Sequence, residues 1–165
     1  MFRSMRRSRQ ELDKQECERI LREVTYGVLS LPGAEGYPYG VPMNFVYEDG
    51  RIYLHGARIG LRADSVGSGC RACFTVVEKW DVDAPSLSTL YRSVIAFGEL
   101  RPTAPGEETE RAAMWLGLRY LDDEAAVKAE VEREKKALRC FVLDIEHMTG
   151  KDSKALAAKR RENHD

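Results

Sequence analysis

Residues 39–62, YGVPMNFVYEDGRIYLHGARIGLR, constrain the fold more than any other stretch, because they suit only strand, tight turn, strand, loop and helix start. Tyr39 to Tyr47 is rich in β-formers, and its alternation sets Val41, Met43, Phe45 and Tyr47 on one face with Asn44 on the other. Asp49 and Gly50 supply the turn, since glycine tolerates the positive φ that short hairpins demand. Arg51 to His55 returns, with Ile52 and Leu54 on one face and Tyr53 and His55 on the other. The chain then loosens through Gly56 and Ala57 and restarts as a helix at Gly60, Leu61, Arg62, Ala63 and Asp64. A glycine followed by a cation at a helix start is a seat for an anion: free backbone N–H groups, the positive end of the dipole and a guanidinium converge there.

A chain of 165 residues, 43% of them hydrophobic, is expected to form one domain with a proper core. Its 26 basic and 27 acidic residues leave a formal charge of -1, so no global field draws it to nucleic acid or anionic lipid. Basic residues gather at the ends (Arg3, Arg6, Arg7 and Arg9; Lys159, Arg160 and Arg161), and residues 1–10 and 152–165 read as flexible, solvated tails. No apolar run is long enough to span a bilayer, and the opening MFRSM lacks the apolar core of a secretory signal. The expected address is the cytoplasm.

Cys70 and Cys73 have the spacing of a redox motif or half a zinc site. Zinc needs a second ligand pair, and neither Cys17, Cys140 nor the three histidines forms one at short spacing. A redox pair should open a helix, whereas Cys73 runs into the β-rich FTVVE. The thiols therefore read as structural, with no metal expected.

Before the central stretch, Asp13 and Glu16 resemble a capping box, and Cys17, Ile20, Leu21 and Val24 form one helical face. Tyr26 to Leu31 is a short strand. After the second helix, Gly67, Ser68 and Gly69 break the chain, Arg71 to Lys79 is a strand, and residues 80–90 read as a long loop carrying Trp80. Such a tryptophan is a lid, an interface anchor or a packing residue, and packing is the default. Tyr91 to Arg101 is the next strand, in which Gly98 marks a bulge or a close backbone approach. A helical region from Pro105, in which Met114 and Trp115 read as packing residues, is divided at Asp122 and Asp123 from a charged helix ending near Ala137. CFVLDI, residues 140–145, is the last strand, and residues 146–151 lead to a polar tail with weak helical pattern. The expected class is α+β: six strands in a small antiparallel barrel with flanking helices.

The order of YGVLSL (26–31), YGVPMNFVY (39–47), GRIYLH (50–55), GLR (60–62), YRSVIAFG (91–98) and EHMTGK (146–151) resembles the pyridoxamine 5′-phosphate oxidase-related flavoproteins. More narrowly it is similar to the branch that includes the 5-nitroimidazole-resistance proteins. Pro42, Asn44, Phe45 and Tyr47, then His55, Ala57 and Gly60, carry most of the likeness. The resemblance implies a split β-barrel that dimerises and holds FMN at the dimer interface, with FAD as the alternative. Met43, Asn44 and Phe45 would lie along the isoalloxazine, His55, Gly56 and Ala57 along the ribityl chain, and Gly60, Leu61 and Arg62 at the phosphate. Ser93 and Val94 would face the flavin from the other side, with Arg92 more simply an outward strand residue. Relatives often carry lysine at position 62; arginine keeps the charge and adds a fork.

His55 is the candidate catalytic residue, passing a proton to a reduced nitro group or only bonding the cofactor. Asn44 either bonds the flavin edge or satisfies buried backbone. His147 and His164 read as surface residues. The function implied is an FMN-dependent oxidoreductase acting on nitroaromatics or other small electrophiles; the alternative is a non-enzymatic flavin store or redox sensor. A nucleic-acid module is disfavoured, because no stacking aromatics accompany the arginine-rich start.

Overall fold

The structure, a computed structural model, describes residues 2–33 and 36–162. Its strands are β1 (Glu11–Leu12), β2 (Tyr26–Pro32), β3 (Pro38–Asn44), β4 (Val46–Glu48), β5 (Arg51–His55), β6 (Cys70–Asp83), β7 (Ser88–Pro102) and β8 (Cys140–Asp152). The helices are α1 (Lys14–Glu23), α2 (Leu61–Val66), α3 (Glu107–Leu118), α4 (Glu124–Glu134) and α5 (Lys154–Glu162). All eight strands join one antiparallel sheet in the order β3-β2-β6-β7-β8-β5-β4, with β1 added on β8. β3 and β4 end that path on opposite sides yet are separated in sequence only by Phe45, so the sheet curls back on itself as a split barrel. The α+β barrel is as expected. Its strand count is eight rather than six, because the run from Tyr39 to Tyr47 divides at Phe45 and the two-residue β1 adds one more.

Alternation decides what each strand buries. Ile52 and Leu54 of β5 and Phe141 and Leu143 of β8 face the barrel interior, where Phe45, Phe74, Val94 and the α1 residues Cys17, Ile20 and Leu21 complete the core. Tyr53, Cys140 and Val142 point the other way, into a second core built with Ala112, Leu116, Val127 and Val131 of α3 and α4. β5 and β8 are thus covered on both faces. Burial pushes the Cys17 and Cys140 thiols up to about 11. All four cysteines are free, and among the described residues no cluster of ligands suited to a metal ion forms.

Four stretches depart from the sequence reading. Residues 80–83 and 88–90 are the outer part of a long hairpin, not a loop: Trp80 pairs with Tyr91 and Asp83 with Ser88, and only 84–87 turn. Trp80 is 73% exposed there, so little among the described residues packs it. Residues 146–151 continue β8, held between β7 and β1. Past them, Asp152 and Ser153 are buried and α5 follows, in place of a loose tail; near the start, Ser8–Gln10 forms a 3₁₀ turn.

A bulge at Glu78, the residue skipped between Val77 and Lys79 on β6, turns that carboxylate toward Arg19 and Arg92. Arg92 donates to Asp152, a fully buried carboxylate, at 2.6 Å and to Glu16 at 3.0 Å, and Arg160 reaches Asp152 at 3.1 Å. Arg92 is therefore a structural tie among α1, β6, β7 and β8, and α5 joins it through Arg160 on the same carboxylate. Asp13 caps α1 by accepting from the Glu16 N–H at 2.8 Å, but the Glu16 carboxylate turns to Arg19 and Arg92 rather than closing a reciprocal box. Those contacts, the Arg19 hydrogen bond first, hold the Glu16 carboxyl below its ordinary value.

Gly98 sits at a second irregularity, where β7 and β8 shift register. A Cβ at that position would stand 2.0 Å from the Asp144 carbonyl oxygen, whereas one at Gly40 would meet only a Val28 methyl at 3.6 Å. Gly98→Ala is expected to lower stability by about 2–3 kcal/mol, as overpacking does. Gly40→Ala should stay within about 0.5 kcal/mol of the parent in urea titrations. Equal midpoints for the two variants would refute the close approach.

Candidate functional site

Where β3 and β5 end, a cleft of about 650 Å³ opens between the barrel and the α3–α4 pair, within the size range usual for ligand pockets. Asn44, the last residue of β3, and His55, the last of β5, form its barrel side. Leu116, Leu121, Val127 and Val131 form the apolar opposite wall. Gly117 lets the two helices close: a Cβ there would press to 2.4 Å from a Val127 methyl. Tyr120 extends that wall, donating its hydroxyl to the Thr25 carbonyl at 2.9 Å, and burial raises its pKa. Sequence reasoning missed this helical wall, to which Tyr120 and Leu121, each 50% exposed just past α3, belong only through tertiary packing.

The side chains of β3 sort as alternation demands. Met43 packs against the barrel core and Phe45 is fully buried, 4.8 Å from Phe74 between ring centroids, so only Asn44 reaches the cleft by its side chain. His55 is exposed at the cleft, yet the protein around it, and then the Arg62 charge, lower its pKa below the ordinary 6.5. The imidazole is consequently neutral at neutral pH.

After His55 the chain turns through Gly56, whose N–H donates to the Arg139 carbonyl at 3.0 Å. A Cβ at Gly56 would fall 1.5 Å from a guanidinium nitrogen of Arg62, which folds back over this backbone and onto the Phe141 ring at 5.8 Å, so a larger residue there would displace that side chain. Arg62 Nε is buried without an acceptor, an unmet donor next to the cleft. Gly60 takes φ 105 ahead of α2, a conformation that favours glycine. Its neighbours Ala57 and Leu61 are exposed. Asn44, His55, Gly56 and Arg62 are thus brought to one side of the barrel.

Ser93 and Val94 do not join them within one chain. Both lie on β7, separated from β5 by β8 and from β3 by β6 and β2. Ser93 stands between Val77 and Lys151 in the ladder, and the Val94 side chain is in the barrel core. Trp115 packs on Tyr53 at 5.1 Å, a structural contact behind the cleft. His147 stacks on Phe2 at 4.3 Å, and His164 lies outside the described residues. Among the described residues no helix is long and apolar enough to cross a membrane.

A family model described as pyridoxamine 5′-phosphate oxidase matches residues 13–152. Among solved structures, the chain is similar to a candidate 5-nitroimidazole antibiotic resistance protein of Bacteroides thetaiotaomicron: 25% identity over 86% of each chain, TM-score 0.70. It also shares its fold with a conserved hypothetical protein, Rv2991, of Mycobacterium tuberculosis: 18% identity, 93% of this chain and 92% of that one, TM-score 0.79. A third such structure is an FAD binding protein of Mycobacterium smegmatis: 17% identity, 87% and 99% covered, TM-score 0.58. No curated protein matches the sequence. The matched residues run from the cap of α1 to the buried Asp152 and so take in every strand but β1, which places this chain in the pyridoxamine 5′-phosphate oxidase family.

Proposed function

We propose that the chain is a flavin-dependent oxidoreductase that holds the FMN unit of its cofactor in the Asn44–His55 cleft and reduces small electrophiles, 5-nitroimidazole-type nitroaromatics among them. The observation that carries this reading is an apolar cleft of about 650 Å³ with a histidine and an amide on one wall and, beside it, an arginine whose Nε lacks an acceptor. The relatives add support by analogy, one named for nitroimidazole resistance and one for FAD binding.

The flavin, when bound, supplies hydride or electron-pair transfer from a reduced nicotinamide to the acceptor. Arg62 and the first amides of α2 hold the phosphate, with Gly60 letting the backbone approach. Asn44 bonds the ring edge, and the α3–α4 wall keeps water from the apolar face. Glu130 and Glu134 line the α4 side of the cleft, so the anionic end of the ligand belongs with Arg62 rather than there. His55 stands between the two ends, placed to hand a proton to the reduced acceptor.

The exposed side chains of Tyr26, Val28 and Val77 lie on neighbouring strands of the outer sheet, and we assign them to the contact with a second copy of the chain. In that dimer Ser93, next to Val77 in the ladder, belongs to the same face.

The purified protein is expected to carry or take up flavin with a visible absorption band, and to turn over a nitroimidazole with a nicotinamide donor. A colourless protein that ignores added flavin overturns the reading; flavin uptake without turnover across nitroimidazoles and quinones leaves a binder or sensor. His55→Gln should lower turnover by about one to two orders of magnitude while sparing flavin uptake, the loss expected for a general acid.

Because the His55 cation is disfavoured, its NMR titration should have a midpoint below 6.5, and Arg62→Gln should move that midpoint upward. The sign follows: the neutral imidazole is the stable form above the midpoint, and falling pH protonates it at a cost to the fold. Proton donation by His55 should therefore make turnover rise as pH drops from 7, a slope absent in His55→Gln. In solution the chain should sediment as a dimer, and Val77→Glu should shift it toward monomer; a monomeric parent at micromolar concentration refutes the assignment.

A further inference from the structure

Arginines in this chain differ in whether a carboxylate holds them. Arg19, Arg92 and Arg101 meet carboxylates at 3.1 Å or less. Among the described residues, Arg58, Arg62 and Arg139 form no ion pair; neither do Arg71, Arg119 and Arg161, but only the first three gather at the loop after β5 and the start of β8. Arg58 only donates to the carbonyls of Ala137 and Leu138, at 3.3 and 3.4 Å, and Arg139 only to the Arg58 carbonyl at 3.3 Å. These contacts staple the loop after β5 to the start of β8. They lie at the long edge of hydrogen bonding and use few of the five donors on each guanidinium. Stapling alone needs no charge.

The unpaired charges are adjacent. Arg62 and Arg139 both lie against the ring of Phe141, at 5.8 and 5.3 Å, so the proposed phosphate seat and Arg139 share one support. Arg58 and Arg139 then line a cavity of about 380 Å³ on the side of the loop away from Asn44. Lys135 adds a third cation, offset by Glu110 at 2.7 Å. Pro102, Pro105 and Leu138 give the cavity apolar walls, and Leu138 also borders the Asn44–His55 cleft, so the two spaces abut. An apolar-walled cavity beginning with two uncompensated guanidiniums, immediately beyond a phosphate seat, has the layout needed for a second phosphate followed by a nucleoside.

We infer that Arg58 and Arg139 bind the second phosphate of a flavin dinucleotide and that the cavity beyond them takes its nucleoside, so that the chain prefers FAD to FMN. The inference rests on the flavin reading above and deepens it.

Titration of the full-length protein with FAD, FMN and riboflavin, followed by flavin fluorescence quenching, tests it without any turnover. The parent should bind FAD at least about tenfold more tightly than FMN. The Arg58→Gln/Arg139→Gln double variant should lose that preference, with FAD about tenfold weaker and FMN within about twofold of the parent. FMN binding as tightly as FAD to the parent overturns the inference while leaving the flavin reading intact. Equal weakening of both ligands in the variant also overturns it, because the arginines would then serve the phosphate common to both. Failure of all three flavins to bind removes the flavin reading and this inference with it. The parent comparison stands even if the variant misfolds.

Discussion

One covalent link governs this molecule: Phe45 joins the strands that end the sheet on either side. Five strands separate β3 from β4 along the hydrogen-bonded path, yet a single residue separates them along the chain. The sheet has to curl for both statements to hold, and Phe45 is driven inward against Phe74 at the seam. The geometry of the cleft follows from this. Asn44 is the last residue before the seam, and His55 ends the strand that pairs with β4, so both appear at the same mouth. Nothing in either residue's own chemistry brings them together.

The parts legible in the sequence were those fixed by local chemistry. The hairpin turn at Asp49 and Gly50 rests on positive φ at both residues, and the faces of β3 and β5 rest on period-two alternation. Arg62 was legible as a cation next to a glycine at a helix start, though not as a side chain folded back over Gly56. What escaped depended on distant partners. WDVDAPSLSTL contains proline, serine and aspartate that suit a loop, but its two arms pair with each other as the outer end of a ladder whose inner rungs, such as Cys70 with Leu100, join residues far apart. Residues 146–151 likewise become strand because β7 and β1 flank them. The helical wall of the cleft depends on how closely Gly117 lets α3 approach Val127, a tertiary contact.

Net charge concealed the electrostatic organisation. A chain with 26 bases and 27 acids looks balanced. In three dimensions the acids are spent unevenly: Glu16, Glu78 and Asp152 surround Arg92, Arg19 and Arg160 on one side of the barrel. The loop after β5 is left with arginines that face only carbonyls and a ring. Where a protein places its carboxylates thus decides where its cations stay available. Glu78 shows how finely this is set, since one extra residue in β6 aims it at the first group.

The outstretched β6–β7 hairpin has an optical consequence. Of the two indoles in the chain, Trp80 stands in water on that arm, while Trp115 leans on Tyr53 in the second core. Their emission should divide into a red-shifted component that iodide quenches strongly and a bluer one, from the partly buried Trp115, that it quenches less. Ultraviolet light would then read the arm and the interior as separate channels in a single unlabelled sample.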